Sequence, residues 1–123
     1  MKLLVTGAAG RLGSDLIIKL TEEKHEVNAF DIPDADFRRL KANKYVEILK
    51  GDIRRIDDIE KAVKGVDGIF HLAAILPPQS EAHKQLTEEV NVKGTENLLT
   101  SIRSENIQLI YPSSVMPYVS KSN

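Results

Sequence analysis

The chain of 123 residues can build one hydrophobic core, but it is short for an enzyme with a separate substrate domain. Its formal net charge is −1 and 28% of its residues are charged, with both signs interspersed, which argues against a protein that binds nucleic acid. Because it contains no cysteine, it can form neither a disulfide nor a thiolate metal site, and a reducing cytoplasm is the expected location.

Short apolar runs alternate with amphipathic stretches along the chain. In chain order, the sequence predicts a strand at 3–5, a helix at 11–24 with an apolar stripe of Leu12, Leu16, Ile17 and Leu20, and a strand at 27–31. It then predicts a partly helical stretch at 35–42, a strand at 45–49, a short helix at 56–63 that Gly65 ends, and a strand at 68–72. The last two elements are a long helix at 80–103, with Leu86, Val90, Leu98, Leu99 and Ile102 facing inward, and a strand at 109–111. The first apolar run is too short to span a membrane, so no membrane association is expected.

This alternation predicts βαβ units, because parallel neighbours in a sheet need a crossover of about a dozen residues or more. The fold class is therefore α/β, a Rossmann-like doubly wound parallel sheet with strand order 3-2-1-4-5 that ends at the fifth strand. A nucleotide crevice is expected above strands 1 and 4, where the strand order reverses.

The strongest motif is TGAAGRLG at residues 6–13. Its glycines permit a tight turn, let the backbone approach a pyrophosphate and let the following helix pack closely on the strand. The motif comes directly after a predicted strand and opens a predicted helix, as dinucleotide binding requires. The predicted pyrophosphate contacts are Gly7, Ala9, Gly10, Arg11, Leu12 and Gly13.

Asp31 ends the second strand, where a carboxylate can accept hydrogen bonds from the adenosine ribose hydroxyls. A carboxylate there repels the 2′-phosphate of NADP, so NAD is the predicted cofactor. Arg11 beside the phosphates leaves NADP open as an alternative.

Six ordered motifs resemble the extended short-chain dehydrogenase/reductases, in particular the NAD-dependent nucleotide-sugar epimerase/dehydratase group. They are VTGAAGRLG, FD, GDI, HLAA, NVKGTENLL and IYPSSV, and they cover nearly the whole chain. The resemblance implies that Asp52 and Ile53 flank the adenine and that Leu72, Ala73 and Ala74 line the central part of the cofactor. It also implies that Asn91 lies on the helix behind the active site and helps to order it.

The family's catalytic residues are a serine or threonine, a tyrosine and a lysine, the last two in a Tyr-x-x-x-Lys spacing. A nearby lysine cation lowers the pKa of the tyrosine so that it can act as a base. Ser114 matches the serine, and Tyr118 and Lys121 are the candidates for the other two. The spacing departs from the family pattern, since Tyr118 and Lys121 are three apart and Tyr118 follows Ser114 closely. Tyr118 alternatively resembles a structural tyrosine that commonly follows the serine strand.

Two functional hypotheses follow. In the first, residues 1–123 form the NAD-binding, catalytically incomplete part of an epimerase, dehydratase or dehydrogenase that acts on a nucleotide sugar by transient hydride transfer, with the substrate held by a C-terminal region. In the second, the chain is a stand-alone NAD-binding sensor or interaction module without turnover. The three histidines form no cluster, so no metal site is expected and His71 is interpreted as an ordinary strand-end residue. An uncovered edge at the fifth strand and an uncovered long helix predict a homo-oligomer.

Overall fold

The computed structural model describes residues 1–73, 92–102, 107–111 and 118–121. The described elements are β1 (Lys2–Thr6), α1 (Arg11–Glu22), β2 (Glu26–Asp31), β3 (Val46–Lys50), α2 (Ile56–Val63), β4 (Gly68–His71), α3 (Gly94–Ser101), β5 (Gln108–Tyr111) and β6 (Tyr118–Lys121). No helix among these residues is long and apolar enough to cross a membrane.

The strands form one sheet in the order β3-β2-β1-β4-β5-β6. The first five are parallel, with Val5 of β1 paired with Ala29 of β2 on one side and Phe70 of β4 on the other. The predicted α/β fold and the order 3-2-1-4-5 are therefore confirmed. The order reverses between β1 and β4, so the carboxyl ends of these two strands border the crevice in which such folds bind their ligands.

The expectation that the sheet ends at the fifth strand is wrong. β6 pairs antiparallel with β5, from Gln108 opposite Lys121 to Tyr111 opposite Tyr118. The backbone groups that β5 was expected to leave unpaired are thus paired within the chain, which removes the edge-strand argument for a homo-oligomer.

The central strand β1 is apolar over Leu3–Val5 because both faces of the sheet are covered. Leu4 lies in a core cluster with residues of α2 and α3, whereas its neighbour Val5 lies in a second cluster with Ile17 of α1. Two side chains predicted to face inward do not: Leu12 is 61% exposed at the start of α1, and Leu99 is 44% exposed on α3. The helices present narrower apolar stripes than their sequences suggested.

Residues 35–42, predicted to be partly helical, form turns instead. Phe37 and Leu40 of this stretch are buried against α1 and β2, and the charged residues between and beside them face solvent. Two anchors in a charged stretch are too few to define a helical stripe. Leu86 and Val90, which were also predicted to face inward, lie outside the described residues.

Candidate cofactor-binding site

The glycine motif forms a tight turn between β1 and α1. Gly7 has a φ of +70°, and a Cβ at this position would lie 2.8 Å from the carbonyl carbon of Leu72. A Cβ on Gly13 would overlap the Gly7 carbonyl oxygen, whereas one on Gly10 would meet only that oxygen at 3.3 Å. The turn therefore requires glycine at two positions for close backbone approach, and α1 begins directly after it with its first N–H groups unpaired within the helix.

The carboxylate of Asp31 lies against this turn. Its Oδ2 accepts a hydrogen bond from the Ala9 N–H at 3.0 Å, and its Oδ1 accepts one from the Ile32 N–H at 2.8 Å. The Ala8 N–H also donates to the Phe30 carbonyl, so the end of β2 and the glycine turn are joined twice. Asp31 remains half-buried, which leaves carboxylate surface for a ligand in the crevice. The structure thus brings together the two features that the sequence singled out.

The loop after β3 is held from both sides. The Asp52 N–H donates to Oδ2 of Asp58 at 2.9 Å, and the carboxylate of Asp52 pairs with Arg54 at 2.7 Å. The hydrogen bonds from Arg54 stabilise the ionised form and lower the pKa of Asp52. Ile53 is buried, and its carbonyl accepts a hydrogen bond from Nδ2 of Asn97 on α3 at 3.0 Å. These contacts fix the position of the loop that was expected to flank the adenine.

The end of β4 carries a polar network that the sequence interpretation missed. His71 is 5% exposed, and its Nδ1 lies 2.7 Å from Oγ1 of Thr6 and its Nε2 3.2 Å from Oγ1 of Thr95. Burial lowers the pKa of His71 to about 4, so the ring is neutral near pH 7. The interpretation of His71 as an ordinary strand-end residue is therefore incomplete. A histidine within the apolar strand pattern of 68–72 was the available signal, because a strand in mid-sheet buries both faces.

The other predicted residues fall into three groups. Arg11 and Leu12 begin α1 beside the turn and are exposed, and Leu72 and Ala73 follow β4 and are half-buried. Ala74, Asn91 and Ser114 lie outside the described residues. The backbones of Tyr118 and Lys121 begin and end β6. Positions three apart in a strand belong to opposite faces of a sheet, so β6 does not bring these two positions to one face. Within the described ranges, no group of acidic or histidine side chains could hold a metal ion.

Comparisons with known proteins agree with this geometry. The family model for the 3-beta hydroxysteroid dehydrogenase/isomerase family matches residues 4–121. A 3 beta-hydroxysteroid dehydrogenase/Delta 5→4-isomerase of Mycobacterium tuberculosis is 39% identical over 92% of the chain and 31% of its own length. Short-chain dehydrogenase/reductase family 42E member 1 of Danio rerio is 34% identical over 90% of the chain and 28% of its own length.

Among solved structures, UDP-glucose 4-epimerase of Thermus thermophilus in complex with NAD is 29% identical, with a TM-score of 0.74 over 85% of this chain and 34% of that one. The chain thus spans about a third of the length of the relatives that it matches.

Proposed function

The chain belongs to the 3-beta hydroxysteroid dehydrogenase/isomerase family, and on that premise we propose that it forms the NAD-binding domain of an enzyme that oxidises a secondary alcohol. NAD supplies the hydride acceptor in such a reaction. The residues described here would hold the cofactor: the glycine turn and the start of α1 would bind the pyrophosphate, and Asp31 would bind the adenosine ribose.

The orientation of the Asp31 carboxylate is the main support for the proposed binding of NAD. The Asp31 carboxylate is fixed against the glycine turn by the N–H groups of Ala9 and Ile32, at 3.0 and 2.8 Å. A carboxylate held beside a pyrophosphate cradle favours the two ribose hydroxyls of NAD and opposes the 2′-phosphate of NADP by charge repulsion. This orientation supports NAD over NADP although Arg11 lies near the same turn.

Titration calorimetry with both cofactors tests this assignment. We expect NAD to bind more tightly than NADP, and Asp31→Asn to reduce the ratio of the two affinities by about tenfold, equivalent to about 1.4 kcal/mol. Asp36→Asn is the matched control, because it removes the same charge from an exposed carboxylate that pairs with Arg38 instead. Equal affinities for NAD and NADP in the unaltered protein would refute the role of Asp31.

The substrate we propose is a hydroxysteroid or sterol alcohol. The family description and the 39% identity to the mycobacterial enzyme support this class. In the reaction, the carbinol carbon gives up hydride and its hydroxyl gives up a proton to a base, which leaves a ketone. Ser114 is the proposed hydroxyl that hydrogen-bonds the reacting oxygen. Tyr118 and Lys121 are the sequence candidates for the base and its cationic neighbour, but their positions three apart in β6 favour a structural role for Tyr118.

A nucleotide sugar is the second candidate substrate, favoured by the similarity to UDP-glucose 4-epimerase. The two candidates separate in one assay of the full-length protein with NAD. A 3β-hydroxysteroid should produce NADH continuously, whereas a UDP-hexose that is epimerised returns its hydride and produces none. Epimerisation of the sugar without steroid oxidation would overturn the first choice.

We also propose a cytoplasmic protein that forms a homo-oligomer. Val92, two residues before α3, and Leu99 of α3 are 54% and 44% exposed and lie two helical turns apart, which places them on one face. A second copy of the chain would cover them. Light scattering at several concentrations tests this, and a monomer throughout would exclude it.

A further inference from the structure

The three side chains Thr6, His71 and Thr95 connect three elements beneath the crevice. Thr6 is the last residue of β1 and is fully buried, His71 is the last residue of β4, and Thr95 lies in the first turn of α3. The imidazole bridges the two hydroxyls, at 2.7 Å from Nδ1 to Thr6 and 3.2 Å from Nε2 to Thr95. The network thus joins the base of the glycine turn to a helix on one face of the sheet.

The hydrogen bonds of Thr6 determine which ring nitrogen carries the proton. Its Oγ1 accepts hydrogen bonds from the N–H groups of Leu72 and Ala73, at 3.0 and 3.1 Å, and the Leu72 N–H is shared with the Thr6 carbonyl oxygen at 3.1 Å. A hydroxyl has two acceptor positions and one donor hydrogen, so this hydrogen is directed to Nδ1 of His71. Nδ1 therefore accepts, the proton lies on Nε2, and Nε2 donates to Oγ1 of Thr95. The donor and acceptor match at the contact between Thr6 and Nδ1 only when Nδ1 carries no proton.

The backbone that Thr6 holds is the same backbone that approaches the glycine turn. A Cβ on Gly7 would lie 2.8 Å from the Leu72 carbonyl and 2.9 Å from the Ala73 nitrogen. The position of residues 72–73 therefore sets one wall of the crevice, and Thr6 sets the position of residues 72–73. Asp31 lies on the opposite side, and its described hydrogen bonds do not involve this network.

We propose that His71 is a positioning residue for the cofactor, acting as the neutral Nε2–H tautomer that fixes the wall of the crevice formed by Leu72 and Ala73 and ties it to α3. The inference rests on the proposed binding of NAD. Its effect is selective: the network supports the wall that faces the central part of the dinucleotide, and not the adenosine end beside Asp31.

The tautomer can be measured without any cofactor. In long-range proton–nitrogen NMR spectra at pH 7, the Nδ1 resonance of His71 should have the shift of an unprotonated nitrogen and Nε2 that of a protonated one. The absence of the signals in His71→Asn assigns them against His25 and His83. A Nδ1–H tautomer or a doubly protonated ring would overturn the proposal, whether or not the protein binds NAD.

The binding test compares NAD with AMP, which contains only the adenosine end. Thr95→Val removes the hydroxyl that accepts from Nε2. We expect it to raise the Kd of NAD about tenfold and that of AMP less than about twofold, as the loss of one part-buried hydrogen bond allows. Thr95→Ser should restore both values. Thr21→Val is the matched control, since it removes another threonine hydroxyl, hydrogen-bonded to Ile18 and Asn43 away from the crevice.

The outcomes separate the two proposals. If the unaltered protein does not bind NAD, the proposed function fails while the tautomer measurement still stands. If NAD binds and Thr95→Val weakens NAD and AMP equally, or neither, His71 does not position the cofactor. Combining His71→Asn with Thr95→Val should weaken NAD binding no further than His71→Asn alone, because His71→Asn already breaks the hydrogen bond to Thr95.

Discussion

The two walls of the crevice are built by different interactions. The wall at the glycine turn depends on the absence of side chains, because Gly7 and Gly13 let backbone approach backbone. The wall at the end of β4 depends on side chains in addition to the backbone bond from the Leu72 N–H to the Thr6 carbonyl, because Oγ1 of Thr6 also accepts from the N–H groups of residues 72 and 73 and contacts His71. The glycine turn is therefore disrupted by adding side-chain atoms to its glycines. The end of β4 is disrupted by removing hydrogen-bonding groups or by protonating His71.

Gly13→Ala should have the largest effect on stability. The added Cβ would overlap the Gly7 carbonyl oxygen and lie 3.0 Å from the Ala8 Cα, both parts of the backbone. We expect the free energy of unfolding to fall by about 3 kcal/mol, at the upper end of the cost of overpacking. Gly10→Ala is the control and should cost less than about 1 kcal/mol, because its Cβ would meet a single atom at 3.3 Å. Equal losses in urea unfolding would contradict the difference between the two positions.

Low pH should destabilise the wall at the end of β4. His71 has a pKa of about 4 in the folded protein, below the ordinary histidine value of 6.5, because burial disfavours its charged form. As the pH falls from 6.5 to 4, the unfolded chain takes up a proton that the folded protein does not, so the fold loses about 3 kcal/mol from this group. Above pH 6.5 the group causes no loss.

His71→Asn lacks the titrating ring and isolates this effect. The difference in the free energy of unfolding between the unaltered protein and His71→Asn should shrink as the pH falls from 7 to 4. Asp52, whose carboxylate is paired with Arg54, titrates in both proteins, so its contribution to the difference cancels. Urea unfolding at a series of pH values measures the difference, and a constant value would refute the neutral buried histidine.

A smaller effect is expected where α3 reaches the loop after β3. A Cβ on Gly94 would lie 2.9 Å from Cγ1 and Cγ2 of Ile53. Gly94→Ala should therefore destabilise the protein by about 1 kcal/mol. In an Ile53→Ala background the same change should stabilise it by about 0.5–1 kcal/mol, since alanine favours a helix over glycine. A double-mutant cycle in urea tests this reversal of sign, and additive effects would show that the two residues do not touch.

The glycine turn could be predicted from the sequence because its residues are close together in the chain. The wall at the end of β4 could not, because its side chains come from distant positions. The turn of residues 6–13 and Asp31 could be identified because the glycine spacing specifies a local backbone shape. The side-chain wall joins Thr6 to a histidine 65 residues away and that histidine to a threonine 24 residues further on. No short pattern encodes such a network, and it became visible only once β1, β4 and α3 were placed together.

The edge of the sheet shows the same limit. The fifth strand was predicted from its apolar run, but β6 was not, because residues 118–121 were considered only for the candidate catalytic pair Tyr118 and Lys121 or for a structural tyrosine at 118. Strand pairing depends on a neighbour as much as on the segment itself. Here β5 supplies that neighbour, with Ile110 opposite Val119.

The smallest effect is expected at Tyr118, which belongs to neither wall. It begins β6 and lies three positions before Lys121, a separation that puts the two on opposite faces of a strand. For the alcohol-oxidising enzyme proposed above, the structural interpretation of this tyrosine therefore predicts that Tyr118→Phe changes kcat by less than about twofold, whereas loss of a catalytic base costs about 10²–10⁴. Lys121→Met should behave alike, and the Kd of NAD should stay unchanged in both variants. A large loss of kcat in both, with NAD binding intact, would instead assign the two residues to catalysis and require a rearrangement of β6.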